Sequence, residues 1–236
     1  MSEATRDYFV FLRYNSLMSD LVLGIDEAGR GCVIGPLVLA GFLIPEEDSL
    51  IARLINLGVN DSKLLLPDKR EYLAQKIKKI AQGYKIAKVQ PSELDKFSIN
   101  DLEIKFSARL INHFSPARVY LDVPASGQGI KNYCNSVASL CVSPSKIIGA
   151  NKMDSANVLV AAASILAKSE RERQIKLLKK KYGNFGSGYP SDPKTIQWLK
   201  NWQRSHAEWP SIVRKKWNTL EKFQITNPKF QTNSND

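Results

Sequence analysis

Histidine is almost missing from this chain: His113 and His206 are the two in 236 residues. A histidine base or a zinc site of paired imidazoles has little to draw on, and a lone helical histidine is more often packed or solvated than reactive. Cysteine is scarce as well. Cys32, Cys134 and Cys141 make an odd count with no Cys-x-x-Cys pair, which argues against a disulfide framework or zinc knuckle and suits core thiols in a reducing compartment. No apolar run reaches the length of a membrane span, and the N-terminus lacks the charged start, apolar centre and small-residue cleavage site of a secretory signal, so a cytoplasmic protein is expected. Neither a Gly-x-Ser-x-Gly elbow nor a Gly-x-x-x-x-Gly-Lys loop is present, leaving serine-hydrolase and P-loop chemistry poorly supported.

Acidic residues are outnumbered. Lys and Arg total 34 against 23 Asp and Glu, a formal charge of +11 that favours a polyanionic partner, nucleic acid being the commonest. A generally solvated basic surface has the same composition. The length allows a sizeable core without disulfide or metal staples, so one main domain with an appendage is expected.

Residues 1–20 form an N-terminal extension whose aromatics, from Tyr8 to Tyr14, suit an extra strand or short helix. From Leu21 the pattern alternates. Strand-like runs at Leu21–Asp26, Val33–Phe42, Gly83–Val89, Arg118–Asp122 and Lys146–Gly149 are separated by helical runs at Asp48–Leu57, Pro67–Ala81, Asn100–His113 and one beginning near Gly127. Asn100 is read as an N-cap, and a long helix is expected from near Asp154 toward Lys181. The run Gly183–Pro193 is turn-rich and is followed by a helix through Trp198 and Trp202. The expected organisation is a layered α/β domain over 21–203, a basic helical appendage over 204–225, and a disordered tail, rich in Asn, Thr and Gln, over 226–236.

Two of the predicted strands end in acid. Asp26 closes one and Asp122 another, and if they are neighbours, two like charges meet at one sheet edge, which is unfavourable unless a proton or a divalent cation sits between them. Neighbouring strand residues face opposite ways, so Glu27 joins Asp26 only if the strand breaks there, a turn that Gly29 and Gly31 would permit. Asp154, heading a helical run, can deliver a fourth carboxylate, although a helix cap explains it equally simply, and a turn explains Asp122. Oxygen ligands without nearby Cys or paired His select magnesium or manganese over zinc. Two such ions about 3.5–4 Å apart would support in-line attack of water on a phosphodiester.

At this point several motifs agree. Asp26-Glu-Ala-Gly-Arg-Gly31 with Val33-Ile-Gly-Pro36, Asn60-Asp-Ser-Lys63, Tyr120-Leu-Asp122, Lys152-Met-Asp154, Ala161-Ala-Ala-Ser-Ile-Leu-Ala-Lys168 and Gly186-Ser-Gly-Tyr-Pro-Ser-Asp192 resemble, in order, the signature of ribonuclease HII, over roughly Leu21 to Trp217. The region Trp209–Trp217 looks more like archaeal members and the eukaryotic catalytic subunit. The resemblance implies an RNase H-like fold, a central mixed sheet flanked by helices. It implies a monomeric endonuclease using Mg2+ or Mn2+ that cuts the RNA strand of RNA/DNA hybrids and incises 5′ to single ribonucleotides in duplex DNA, leaving 3′-hydroxyl and 5′-phosphate ends. By the same resemblance Asp26, Glu27, Asp122 and Asp154 are the metal-binding carboxylates. Gly29, Arg30 and Gly31 match the loop that reads the 2′-hydroxyl and adjacent phosphates. Tyr189 matches an aromatic that stacks at the sugar, and Ser62 and Lys63 match substrate contacts. Taken alone, Tyr189 also reads as a buried tyrosine and Ser62 as a turn residue.

Cys32 stands where proline commonly follows the loop, and Met153 replaces a usual alanine, departures that bear on loop stiffness and packing more than on chemistry. Lys168, Arg171, Arg173, Lys176 and Lys179–Lys181 line a helix that would track a phosphate backbone or simply be solvated. Arg214–Lys216 is a second cluster expected to grip duplex DNA. Leu220 and Phe223 resemble part of a sliding-clamp peptide that lacks its usual glutamine and second aromatic. Two rival readings are a ribonuclease HIII-like enzyme needing a run of ribonucleotides and a non-catalytic nucleic-acid-binding protein.

Overall fold

Strand β1 (Leu21–Ala28) is the hinge of the architecture, because it pairs on both sides. In the computed structural model, which describes residues 21–59 and 65–224, it lies antiparallel to β2 (Leu37–Pro45), with Asp26 opposite Ala40. On its other edge it lies parallel to β4 (Arg118–Asp122), and β4 is parallel to β5 (Lys146–Ala150). With β3 (Gly83–Val89) outside β2, the sheet order is β3-β2-β1-β4-β5, the expected mixed sheet. The N-terminal extension, Ser62, Lys63 and the tail over 226–236 lie outside the described residues.

The helices are α1 (Asp48–Asn56), α2 (Pro67–Ile80), α3 (Pro91–Leu94), α4 (Ile99–Phe114), α5 (Gln128–Ala138), α6 (Val158–Tyr182), α7 (Pro193–Ser205) and α8 (Asn218–Gln224). None among the described residues is long and apolar enough to cross a membrane. The chain divides into two compact units. Among the described residues, one comprises β1 with Val38–Ala87 and Glu103–Glu170; the other comprises Gly29–Leu37, Lys88–Leu102 and the residues from Arg171 to the end of α8.

In the first unit the period of two along β1 and β2 gives each face its own layer. Val22, Val38, Ala40, Phe42 and Ile44 pack with Leu54 of α1, Leu73 and Ile77 of α2, and the start of α6. On the other face a side chain added at Gly41 would touch Leu23, Leu110 and Phe114, which places α4 there. Small residues let α6 lie close to the strand. Ala161, Ala162 and Ala163 are fully buried, and a Cβ on Gly24 would collide with the backbone of Leu159 and stand 2.8 Å from the Val160 nitrogen.

The second unit has its own apolar cluster, in which Val33, Ile34, Phe185, Leu199, Val213 and Leu220 are buried. Val33–Ile34 is not part of β2, contrary to expectation, because the Val33 and Ile34 N–H groups donate to Gly188 O and Ile34 bridges Val213. The helical appendage expected over 204–225 is helical only at its ends: α7 stops at Ser205, the chain runs through bends and turns to Trp217, and α8 begins at Asn218.

Candidate active site

Register explains how Asp26 reaches its place. Gly24 rests on the Leu159–Val160 backbone; two residues up the strand rises about 6.8 Å and one helical turn about 5.4 Å, so Asp26 and Ser164 arrive together. Asp26 is 5% exposed and Ser164 fully buried beside it, the Ser164 hydroxyl having no hydrogen-bond partner among the described residues. The Glu27 N–H donates to Asp26 Oδ1 at 2.7 Å.

Asp122 ends β4, the parallel neighbour, and its Oδ1 accepts the Met153 N–H at 2.6 Å. The turn that aims this N–H depends on Lys152, a non-glycine residue in the left-handed region (φ 59°), followed by a 3₁₀ turn over Met153–Ser155. Carboxylate oxygens of Asp26, Glu27 and Asp122 all lie within 4.8 Å of one another.

Glu27 does not need the strand break expected for it. β1 stays paired to β2 through Ala28, but its ladder with β4 ends at Ile25 opposite Leu121, so the edge beyond is open and the longer glutamate chain can lean round it. Asp154 is buried within the 3₁₀ turn next to Met153, outside the three-carboxylate group. It is not the cap of α6. Asn157 has that task, its Oδ1 accepting the N–H groups of Leu159 at 2.9 Å and Val160 at 3.3 Å. Asn100 is likewise not a cap, since α4 begins at Ile99 and Ser98 O accepts the Leu102 N–H.

Burial pushes the Asp26 carboxyl up to about 7, and the charge of Asp122 adds to the shift; the nearby Ser164 hydroxyl, the hydrogen bond from the Glu27 N–H and the field of Lys168 oppose it. A buried acid beside another carboxylate is held by a proton or by a cation. The donors are all hard oxygens, which fit magnesium or manganese.

The second unit carries the loop Gly29-Arg30-Gly31, which continues directly from β1. Gly29 has φ +90°, and a Cβ there would sit 2.6 Å from Arg171 Nε and 2.9 Å from Pro36 O, so no other residue fits. Gly31 is different. It is exposed, and a Cβ there would meet nothing within 4 Å. The Arg30 guanidinium donates to Asn100 Oδ1 at 2.5 Å, a partner that only the structure reveals.

Tyr189 is half-buried, with the Arg171 guanidinium 4.7 Å from its ring centre. Burial raises its hydroxyl to about 12. Its loop is fixed by Asp192, which caps α7 through Lys194 N at 2.9 Å and accepts the Ser187 N–H at 2.6 Å. Cys32 is fully buried and accepts from Arg171 Nη2 at 2.7 Å, so the departure from proline brings the loop a hydrogen bond.

Two basic residues expected at the surface are not there. Arg171 and Arg214 are 7% and 0% exposed, whereas Arg173, Lys176, Lys180, Lys181, Lys215 and Lys216 are exposed. Leu220 is core rather than part of an accessible peptide. In the sequence, Arg214 lies next to two lysines that look identical to it, and composition cannot reveal which of three cations turns inward.

The mixed sheet and the oxygen-only cluster at the ends of β1 and β4 define a divalent-metal hydrolase with an RNase H-like core. The family model for Ribonuclease HII matches residues 23–220. The ribonuclease HII of Pyrococcus furiosus is 43% identical over 205 residues, covering 85% of this chain and 90% of the relative. The crystal structure of the ribonuclease H2 from Pyrococcus horikoshii superposes with a TM-score of 0.81 at 39% identity, covering 87% of this chain and 97% of that one. That of the PCNA:RNase HII complex from Archaeoglobus fulgidus gives 0.76 at 42%, covering 84% and 95%. The chain belongs to the ribonuclease HII family. It is accordingly a ribonuclease H, a metal-dependent hydrolase acting on RNA/DNA hybrids.

Proposed function

We propose that the enzyme incises 5′ to single ribonucleotides embedded in duplex DNA, besides cutting the RNA strand of hybrids, and leaves 3′-hydroxyl and 5′-phosphate ends. The observation that carries this reading is the meeting, within 4.8 Å, of Asp122 at the end of β4 with Asp26 and Glu27 of the strand that continues in sequence into Gly29-Arg30-Gly31. Asp26, Glu27 and Asp122 would hold Mg2+ or Mn2+, with Asp154 as the fourth carboxylate. When bound, such ions activate water and stabilise developing negative charge on phosphate.

The chain's own residues then divide the work. The Glu27 N–H keeps the Asp26 carboxylate oriented. Met153 N–H holds Asp122. Gly31 offers an unobstructed approach to a sugar–phosphate backbone, Asn100 holds the Arg30 guanidinium, and Tyr189, braced by Arg171, presents a flat face to a sugar. Ser62 and Lys63 complete the substrate contacts. The enzyme acts as a monomer in the cytoplasm, where its three free cysteines stay reduced. The PCNA complex of the Archaeoglobus relative supports a sliding-clamp contact here as well.

The test is a duplex DNA carrying one ribonucleotide, incubated with Mg2+ or Mn2+ beside an all-DNA control and a long hybrid. A metal-dependent nick 5′ to the ribonucleotide is expected. Cleavage of the long hybrid alone would move the assignment to an enzyme requiring a ribonucleotide run, and silence on both would leave a binding protein.

A further inference from the structure

Arg214 reaches the underside of the Gly29–Gly31 loop from about 180 residues away. Fully buried, it donates from Nη2 to Gly29 O at 2.7 Å, from Nη1 to Arg30 O at 2.9 Å and from Nε to Gly35 O at 3.0 Å. The Trp217 ring covers its guanidinium at 4.8 Å. All three hydrogen-bond acceptors are main-chain carbonyls, and Asp95 is the acid whose field reaches it.

The peptide bonds here are trans, so a carbonyl and the N–H of the next residue point to opposite sides. Carbonyls of Gly29 and Arg30 turned inward to Arg214 therefore turn the N–H groups of Arg30 and Gly31 outward, on the side where Gly31 leaves open space. Two successive outward N–H groups form a concave donor pair suited to an anionic oxygen. Beneath them lies a second buried cation. Arg171 places Nε 2.6 Å from where a Gly29 Cβ would stand, and that Nε has no hydrogen-bond partner among the described residues, while Nη2 donates to Cys32 Sγ and Ser187 O. Charges screened from water in this way act over longer distances than surface lysines do.

We propose that Arg214 is a positioning residue for the reaction: it orients the Arg30 and Gly31 N–H groups toward the substrate and, with Arg171, supplies a buried positive field to the phosphate the loop receives. This rests on the proposed reading of the loop as the ribonucleotide reader. Arg214 would never touch substrate itself. Its guanidinium holds three carbonyls in one plane, which lysine cannot reproduce.

The experiment compares the wild-type protein with Arg214→Lys and Arg214→Met. It measures thermal unfolding, Mn2+ affinity by calorimetry, kcat and KM on the one-ribonucleotide duplex, and binding of that duplex against its all-DNA twin. A merely structural role would lower activity on every substrate in step with folding. The expected result is a folded Lys variant with unchanged Mn2+ affinity whose preference for the ribonucleotide duplex falls about tenfold or more, the equivalent of two weakened hydrogen bonds. If the Met variant does not fold, Arg171→Gln provides the second reading and is expected to lower affinity for both duplexes. A folded Arg214→Lys protein with wild-type preference would overturn the proposal while leaving the loop reading intact. A wild-type protein without any preference would overturn both.

Discussion

Replacing Asp26 by asparagine should stabilise the metal-free protein while abolishing cleavage, and the stabilisation should grow with pH. Asp26 is lifted from 3.8 to about 7 by burial and by Asp122. Between those values the folded state holds a proton that the unfolded chain has lost, so this group's contribution to stability is complete below about pH 3.8 and is lost as the pH rises through about 7. The full shift corresponds to a ceiling on the order of 4 kcal/mol, of which about 2–3 kcal/mol falls between pH 5 and pH 8. Asparagine keeps the shape and an acceptor for the Glu27 N–H, but never ionises. Calorimetric melts in chelator should therefore show the variant gaining on wild type by roughly 5–10 °C more at about pH 8 than at about pH 5. Added Mn2+ should raise the wild-type melting temperature and leave the variant's nearly unchanged. A melting difference independent of pH, or a variant that still binds Mn2+ and cuts, would refute the assignment of Asp26 as a strained acid relieved by a cation.

The loop glycines should separate packing from ligand approach. Gly31→Ala should melt like wild type yet lose most cleavage at a lone ribonucleotide, whereas Gly29→Ala, strained at φ +90° and clashing with Arg171, should cost about 2 kcal/mol in chemical denaturation. Gly24→Ala should destabilise by roughly 3 kcal/mol or fail to fold, because its Cβ meets the α6 backbone, and a near-neutral melt would contradict the close packing described. Asn157→Ala should cost about 1 kcal/mol as a lost cap, with a denaturant midpoint shift but an unchanged slope. Asn100→Ala should raise KM for the ribonucleotide duplex with little change in melting temperature, since it removes a hydrogen bond from the Arg30 guanidinium without opening the core.

The sheet was legible because most of its strands are apolar runs bounded by polar, glycine or proline residues. Arg118–Asp122 falls on the expected residues, and Lys146–Gly149 is one residue short of β5. Asp26 and Asp122 come together because β1 and β4 lie side by side and their shared ladder ends at Ile25 opposite Leu121, just before the two acids, which the sequence could suggest only as a condition. Caps were less legible: Asn157, Asp154 and Asn100 are all good cap residues, and only the turn at Lys152 decides that Asn157 takes the role. Long-range polar contacts were not legible at all. Nothing near Arg214 or Arg171 in the sequence marks them as buried, because Arg214 is satisfied by backbone carbonyls about 180 residues away and Arg171 by the Cys32 sulfur and the Ser187 carbonyl.

The dependence of the loop on Arg214 also bears on how the enzyme comes off the ribosome. The carboxylates Asp26, Glu27, Asp122 and Asp154 and the strands beneath them are all encoded before residue 155, but the carbonyls of Gly29 and Arg30 must wait for a residue some 185 positions later. Such contacts form late in synthesis, after N-terminal segments have begun to pack. A prematurely terminated chain would thus be born with cutting groups but without a finished reader, so the order of translation puts discrimination last and makes an intact C-terminal segment the condition for selective cutting.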